Sequence, residues 1–296
     1  MARPTVARQR SPADAVPPPL LVVGAAASVQ FGGALAKTLF DDLGPGGTVL
    51  LRTLFAAIVL GALWRPRPAA HSRGELALAA GFGVSLACMN LAFYESLDRI
   101  PLGVAVTLEF VGPLSVAVAG SRRALDLLWV GLATAGILLL ADFTGGADTG
   151  GILLALLAGA FWAAYILLGA RVGRAFSGGS GLALAMAVAA ALLVPVGVAD
   201  GGADLLDPGP LALGAAVAML SSAIPYSLEL EALRRLPSRV FGVLMSLSPA
   251  VAATAGFIVL GEVLGARELI AIALVVFASA GAARTARPGT PEPRDA

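Results

Sequence analysis

The chain has 296 residues, of which 58% are apolar and only 13% charged, with a mean hydropathy of +0.87 and a formal net charge of +1. About a quarter of an ordinary soluble protein is charged, so a soluble globular domain, a disordered chain and a secreted disulfide scaffold are excluded. A polytopic membrane protein remains, because a spanning helix needs about 20 apolar residues and the chain has room for ten.

Residues 1–19 are proline-rich, carry Arg3, Arg8 and Arg10, and read as a disordered tail. The first apolar run, 20–40, is followed by nine more, so it reads as an anchored helix and not as a cleaved signal peptide. Further spans are expected at 46–64, 74–96, 101–120, 125–142, 149–171, 181–199, 210–234, 238–262 and 266–284, with a second tail at 285–296. With the N-terminus in the cytoplasm, 16 basic residues fall in cytoplasmic segments. Only Arg99 and Arg267 fall outside, where Asp41, Asp42, Asp142, Asp148, Asp200, Asp204 and Asp207 collect. The positive-inside bias therefore places both termini in the cytoplasm.

The scarce residue types exclude further functions. The single cysteine, Cys88, allows no intrachain disulfide and reads as a small buried hydrophobe. With His71 the only histidine, no zinc or iron site is expected. The string GGALAKT, Gly32 to Thr38, has Ala36 where a phosphate loop needs glycine, so no ATP hydrolysis and no cofactor are expected. Basic residues spread over loops offer no nucleic-acid surface.

A shift of 136 residues aligns 93–120 with 229–256, and ten of 28 positions are identical, among them Glu95/Glu231, Arg99/Arg235, Pro101/Pro237 and Pro113/Pro249. The fold class expected is thus an all-α membrane protein with ten transmembrane helices in two inverted five-helix repeats, 20–142 and 149–284. An odd number of spans per repeat inverts the second unit. That is a transporter architecture with the substrate near the midplane. Pro113 and Pro249 read either as packing kinks or as breaks lining a site.

Charges within spans need partners or a water-filled path. Glu95 and Glu231 each precede an arginine by four residues, the spacing of a helical ion pair. Lys37 and Asp41 have the same spacing. Arg52 has two open readings, a pair with Asp41 or Asp42 across the turn, or a contact with a substrate carboxylate. Glu109 and Glu229 differ, since their repeat counterparts are Met245 and Phe93. They are candidates to line the transport path, the alternative being an interhelical hydrogen bond. Gln30, Asn90 with Tyr94 at i,i+4, Trp162 with Tyr165 at i,i+3, and Tyr226 are further candidate substrate contacts, with core packing the alternative for the rings.

Several strings resemble a known family. MNLAFYESLDRIPLGVAVTLEFVGPLSVAVAGSRRALDLLWV (89–130), AKTLF (36–40), LR (51–52), GAFWAAYILLG (159–169) and IPYSLELEALRRLPSRVFGVLMSLSPAVAATAGFIVLGE (224–262) are similar to the threonine/homoserine exporter branch of the EamA-type drug/metabolite transporters. The resemblance covers 20–284. It implies ten helices in two EamA repeats, the bacterial inner membrane, and export of small amino acids or other metabolites. One departure stands out. The family pattern reads like SLEP or SMEP where this chain has SLSP, so Ser248 replaces a glutamate and adds a position at which substrate or coupling differs.

The function expected is a secondary exporter of small amino acids, with Glu109 and secondarily Glu229 carrying a proton as the antiported ion. Arg52 or Lys37 would meet a carboxylate and Glu109 an ammonium. A broad drug/metabolite transporter of the same fold is the alternative. A membrane-embedded transferase is disfavoured, because its diphosphate chemistry needs clustered carboxylates for magnesium, and Asp41–Asp42 stands without a second cluster.

Overall fold

The computed structural model describes residues 16–119, 124–140, 148–225, 228, 232 and 244–285. Among them every regular element is helical: α1 Pro18–Lys37, α2 Phe40–Trp64, α3 Arg73–Leu97, α4 Leu102–Glu109, α5 Val111–Ala119, α6 Ala124–Leu140, α7 Thr149–Ala175, α8 Ser180–Gly201, α9 Pro208–Ala218, α10 Ser248–Leu260 and α11 Ala266–Thr285. Short 3₁₀ turns occupy Pro68–Ala70 and Gly202–Leu206, and a π turn, Met219–Ala223, continues α9. Among the described residues five helices are long and apolar enough to cross a membrane: α1, α2, α3, α7 and the run Ser180–Leu206. Leu102–Val116, Leu128–Leu139, Pro208–Ala223 and Ser248–Leu260 are shorter apolar helices.

The outward faces carry Leu20, Ile58, Leu63, Phe257, Phe277 and Val263 in the open. So much exposed bulk is an interaction liability in water and the ordinary surface of a helix in lipid. Inward, α2 packs on α8, α3 on α7 and α8, α6 on α11, α1 on α10, and α4 with α5 on α7. Leu43, Val49, Leu86, Tyr94 and Leu193 fill one core, and Leu97, Leu102, Leu108, Ile152, Ala252 and Val275 a second.

Small residues set these approaches. A Cβ added at Gly112 of α5 would run into the carbonyl of Gly159 on α7, and one at Gly159 would lie 2.7 Å from the carbonyl oxygen of Glu109. Without an aqueous phase to drive them together, membrane helices rely on such close backbone contact.

Departures from straight helix have local causes. Gly44 adopts φ 65°, ψ 170° ahead of Pro45 and bends the start of α2, where the Gly46 N–H donates to the Asp200 carboxylate at 3.0 Å. The single helix expected over 101–120 is two. Pro113 has no N–H for the carbonyl of Glu109, four residues back, so the helix breaks at Phe110 and resumes with the Leu114 N–H donating to the Phe110 carbonyl at 3.2 Å. Pro249, its counterpart in the repeat, sits in the first turn of α10, where a missing N–H costs nothing.

Two expected ion pairs do not form. α1 ends at Lys37 and α2 begins at Phe40, so Lys37 and Asp41 share no helix face. Lys37 Nζ instead meets Glu262 Oε1 at 2.8 Å and donates to the Ile100 carbonyl at 3.3 Å. α3 ends at Leu97, which leaves Arg99 beyond the helix, within electrostatic reach of Glu95 but not in a contact ion pair with it. Glu231 and Arg235, the pair that aligns with them at the 136-residue shift, lie outside the described residues.

The Lys37 tie does more than pair charges. Glu262 Oε2 also accepts from the Leu102 N–H at 2.9 Å, so one carboxylate caps α4 and holds the ends of α1 and α10 together. Its side chain is 14% exposed and that of Lys37 is 23% exposed, so solvent screens the contact only in part. Charge-assisted bonds of this kind contribute about 1.5–3 kcal/mol each. Glu262→Ala should therefore lower the melting temperature of the detergent-solubilised protein clearly. Glu262→Gln, which keeps an acceptor for the Leu102 N–H, should lower it less. Equal losses in the two variants would place the stabilisation elsewhere.

Candidate functional site

A cavity of about 420 Å³ opens among α1, α2, α3, α4, α5, α7, the π turn, α10 and α11. Polar side chains inside an apolar bundle are costly unless they serve one another or a guest, and six of the buried ones among the described residues line this cavity. Eight of the ten candidate residues line the cavity. Gln30 comes from α1, Arg52 from α2, Asn90 and Tyr94 from α3, and Glu109 from the end of α4. Trp162 and Tyr165 come from α7, and Ser248 opens α10. Tyr226 and Glu229 lie outside the described residues.

Arg52 is the organising cation. Its Nη1 donates to Asn90 Oδ1 at 2.8 Å and to the Tyr94 hydroxyl at 3.3 Å. Its Nη2 donates to the Ser221 carbonyl at 3.4 Å, and its guanidinium carbon stands 5.5 Å from the Tyr94 ring centroid. The guanidinium thus turns into the cavity and not toward Asp41 or Asp42. Asn90 is held for this contact, since its Nδ2 donates to the Leu86 carbonyl at 2.8 Å and leaves the amide oxygen facing Arg52. Tyr94 is fully buried and packs on Phe40 and Phe93.

Glu109 is 9% exposed and within electrostatic reach of Arg52, which puts a cation and an ionisable carboxyl in one chamber. The break at Phe110 places this carboxyl at a helix end, so Pro113 both interrupts the helix and lines the cavity. The rings form the apolar wall. Phe82 stacks on Tyr165 at 4.8 Å, and Phe110 meets Trp162 edge-on at 5.2 Å.

Sequence reasoning missed Ser221 and Ser279, which also line the cavity. Ser221 lies in the π turn Met219–Ala223, which departs from regular helical spacing, and it lines the cavity. Ser279 is a lone serine in an apolar run, which carries no motif.

The EamA-like transporter family pattern matches residues 149–283. Over 273 residues, 91% of the chain, it is 43% identical to the threonine/homoserine exporter RhtA of Escherichia coli and to that of Salmonella typhimurium, covering 92% of each. The chain belongs to the EamA-like transporter family. An uncharacterised protein of Pseudomonas aeruginosa is 34% identical over 244 residues, 79% of this chain and 81% of its own. A crystal structure with 18% sequence identity superimposes with a TM-score of 0.62 over 91% of this chain and 97% of its own, which shows the shared fold. The transporter is a multi-pass integral membrane protein, and its family membership sets aside the membrane-transferase reading.

The fork that Arg52 makes to Asn90, Tyr94 and the Ser221 carbonyl needs a planar guanidinium. Arg52→Lys keeps the charge but loses the fork. It should raise the apparent KM for the transported substrate about tenfold, equivalent to about 1.4 kcal/mol, in proteoliposome uptake. An unchanged KM would remove Arg52 from the binding site.

Proposed function

We propose that this transporter is a secondary exporter of small amino acids of the threonine and homoserine kind, coupled to the proton gradient, in the bacterial inner membrane. The observation that carries the reading is one buried chamber holding Arg52 beside Asn90 and Tyr94, with Glu109 in reach. A zwitterion needs both a cation for its carboxylate and an acceptor for its ammonium. The names of the relatives from E. coli and S. typhimurium support the substrate class.

Glu109 serves as the proton carrier, with Glu229 the second candidate. The chain has no phosphate loop, so uphill export draws on an ion gradient. A carboxyl that takes a proton gives up its hold on the substrate ammonium, which links the two binding events. Gln30, Trp162, Tyr165, Tyr226 and Ser248 complete the contacts, and the protein partners are the substrate, the proton and the bilayer.

The topology that goes with this function has ten spans in two inverted repeats, 20–142 and 149–284, with both termini cytoplasmic. The packing supports it. α1 on α10 and α7 on α4 with α5 are the pairings that an exchange of first and sixth, and fourth and ninth, spans requires. The cytoplasmic excess of arginine supports the orientation. A broader metabolite transporter is the second reading, favoured by the aromatic wall of Phe93, Phe110, Trp162 and Tyr165.

Inverted membrane vesicles test the proposal, because their cytoplasmic face is outward. Wild-type vesicles should take up labelled threonine and homoserine when a pH gradient is imposed. Glu109→Gln should lower that gradient-driven uptake at least tenfold while the protein stays folded and inserted. No uptake of either amino acid would overturn the substrate. Full gradient dependence in Glu109→Gln would overturn its role in coupling.

A further inference from the structure

Hydroxyls in this bundle usually close on their own helix. Thr48 donates to the Gly44 carbonyl, Ser96 to Phe93, Thr107 to Gly103, Ser115 to Gly112 and Thr254 to Ala250. Such back-bonding is the ordinary way a helical serine or threonine is satisfied away from water. Three buried serines do not follow it. Ser221, Ser248 and Ser279 are 4%, 2% and 8% exposed, and none of their hydroxyls has a hydrogen-bond partner.

All three line the cavity. They come from three separate segments, the π turn after α9, the first residue of α10 and the middle of α11. Ser221 also joins this group to the rest of the site, because its own carbonyl accepts from Arg52. Its hydroxyl lies against Gly32 of α1, where any side chain would collide with it. Buried polar groups are expected to be bonded. Three unbonded hydroxyls, on cavity-lining residues from different elements, therefore point to a guest that bonds them.

Resting on the amino acid reading above, we propose that Ser221, Ser248 and Ser279 form the subsite that recognises a hydroxyl on the substrate side chain. Arg52 and Glu109 engage the α-carboxylate and α-ammonium, which all amino acids share. The serine group sets selectivity among them. A hydroxyl both donates and accepts, as each serine does, so a hydroxylated side chain closes bonds that an alkyl side chain leaves open. A site built around a substrate hydroxyl rejects the analogue that lacks it, because its own polar groups stay unpaired.

2-Aminobutyrate is the matched probe, being the deoxy form of both threonine and homoserine. Purified full-length protein in liposomes loaded with homoserine is offered labelled homoserine or labelled 2-aminobutyrate, and exchange is measured without an imposed gradient. Wild type should favour homoserine at least about tenfold, as expected for a hydroxyl-reading site. Ser221→Ala, Ser248→Ala and Ser279→Ala should each lower the homoserine to 2-aminobutyrate ratio about three- to tenfold, and Ser248→Thr, which keeps a hydroxyl, should retain it. Exchange of both amino acids by wild type without preference overturns this inference alone. So does a preference that survives in all three alanine variants. Exchange of neither overturns the amino acid reading, and this inference with it.

Discussion

A guanidinium in the middle of an apolar helical bundle is the group on which the site depends. A charged side chain deep in a membrane protein is costly, and Arg52 is accommodated because two other segments supply acceptors. Asn90 and Tyr94 come from α3, and the Ser221 carbonyl from the π turn. Each partner is itself constrained, Asn90 by its bond to Leu86 and Tyr94 by burial between rings. The cation therefore draws α2, α3 and the end of α9 to one point. The void beside that point inherits a positive wall.

The second requirement is backbone that departs from the straight helix where the cavity lies. The break between α4 and α5 frees the Glu109 carbonyl and sets its carboxyl at a helix end, with Gly159 close enough to pack against the exposed backbone. The π turn rotates Ser221 inward. Non-helical backbone at membrane depth is tolerated where protein or a polar cavity covers it, and here both do. Helix irregularity and polar lining are one feature seen from the backbone and from the side chains.

This explains what the sequence made legible. Polar residues isolated in apolar runs, Gln30, Arg52 and Glu109, had no side-chain partner at helical spacing in their own segment, and with Asn90 they come together at one chamber. The helical class and many helix ends among the described residues followed from run length, and the family from long specific strings. The partner of Lys37 was not readable, since Glu262 lies 225 residues away and no local spacing encodes that contact. The π turn has no residue signature, so regular helical spacing did not single out Ser221. Ser279 was hidden because one serine in an alanine-rich helix resembles any small packing residue until its neighbours in space are known.

The eight residues of α4 connect the charge site to the tie at the other end. At about 1.5 Å per residue this is a rod of roughly 12 Å. Glu109 closes one end, and the Leu102 N–H, capped by Glu262, opens the other. Glu262 in turn holds Lys37 at the end of α1. A hydrogen-bonded helix this short moves as a unit, and Gly103 leaves it no slack against α10, where an added Cβ would lie 2.9 Å from Ala253. A rotation of α4 that re-aims Glu109 must therefore disturb the Leu102–Glu262 bond as well. The carboxyl facing the cavity and the carboxylate fastening α1, α4 and α10 are mechanically joined, although no side chain runs between them.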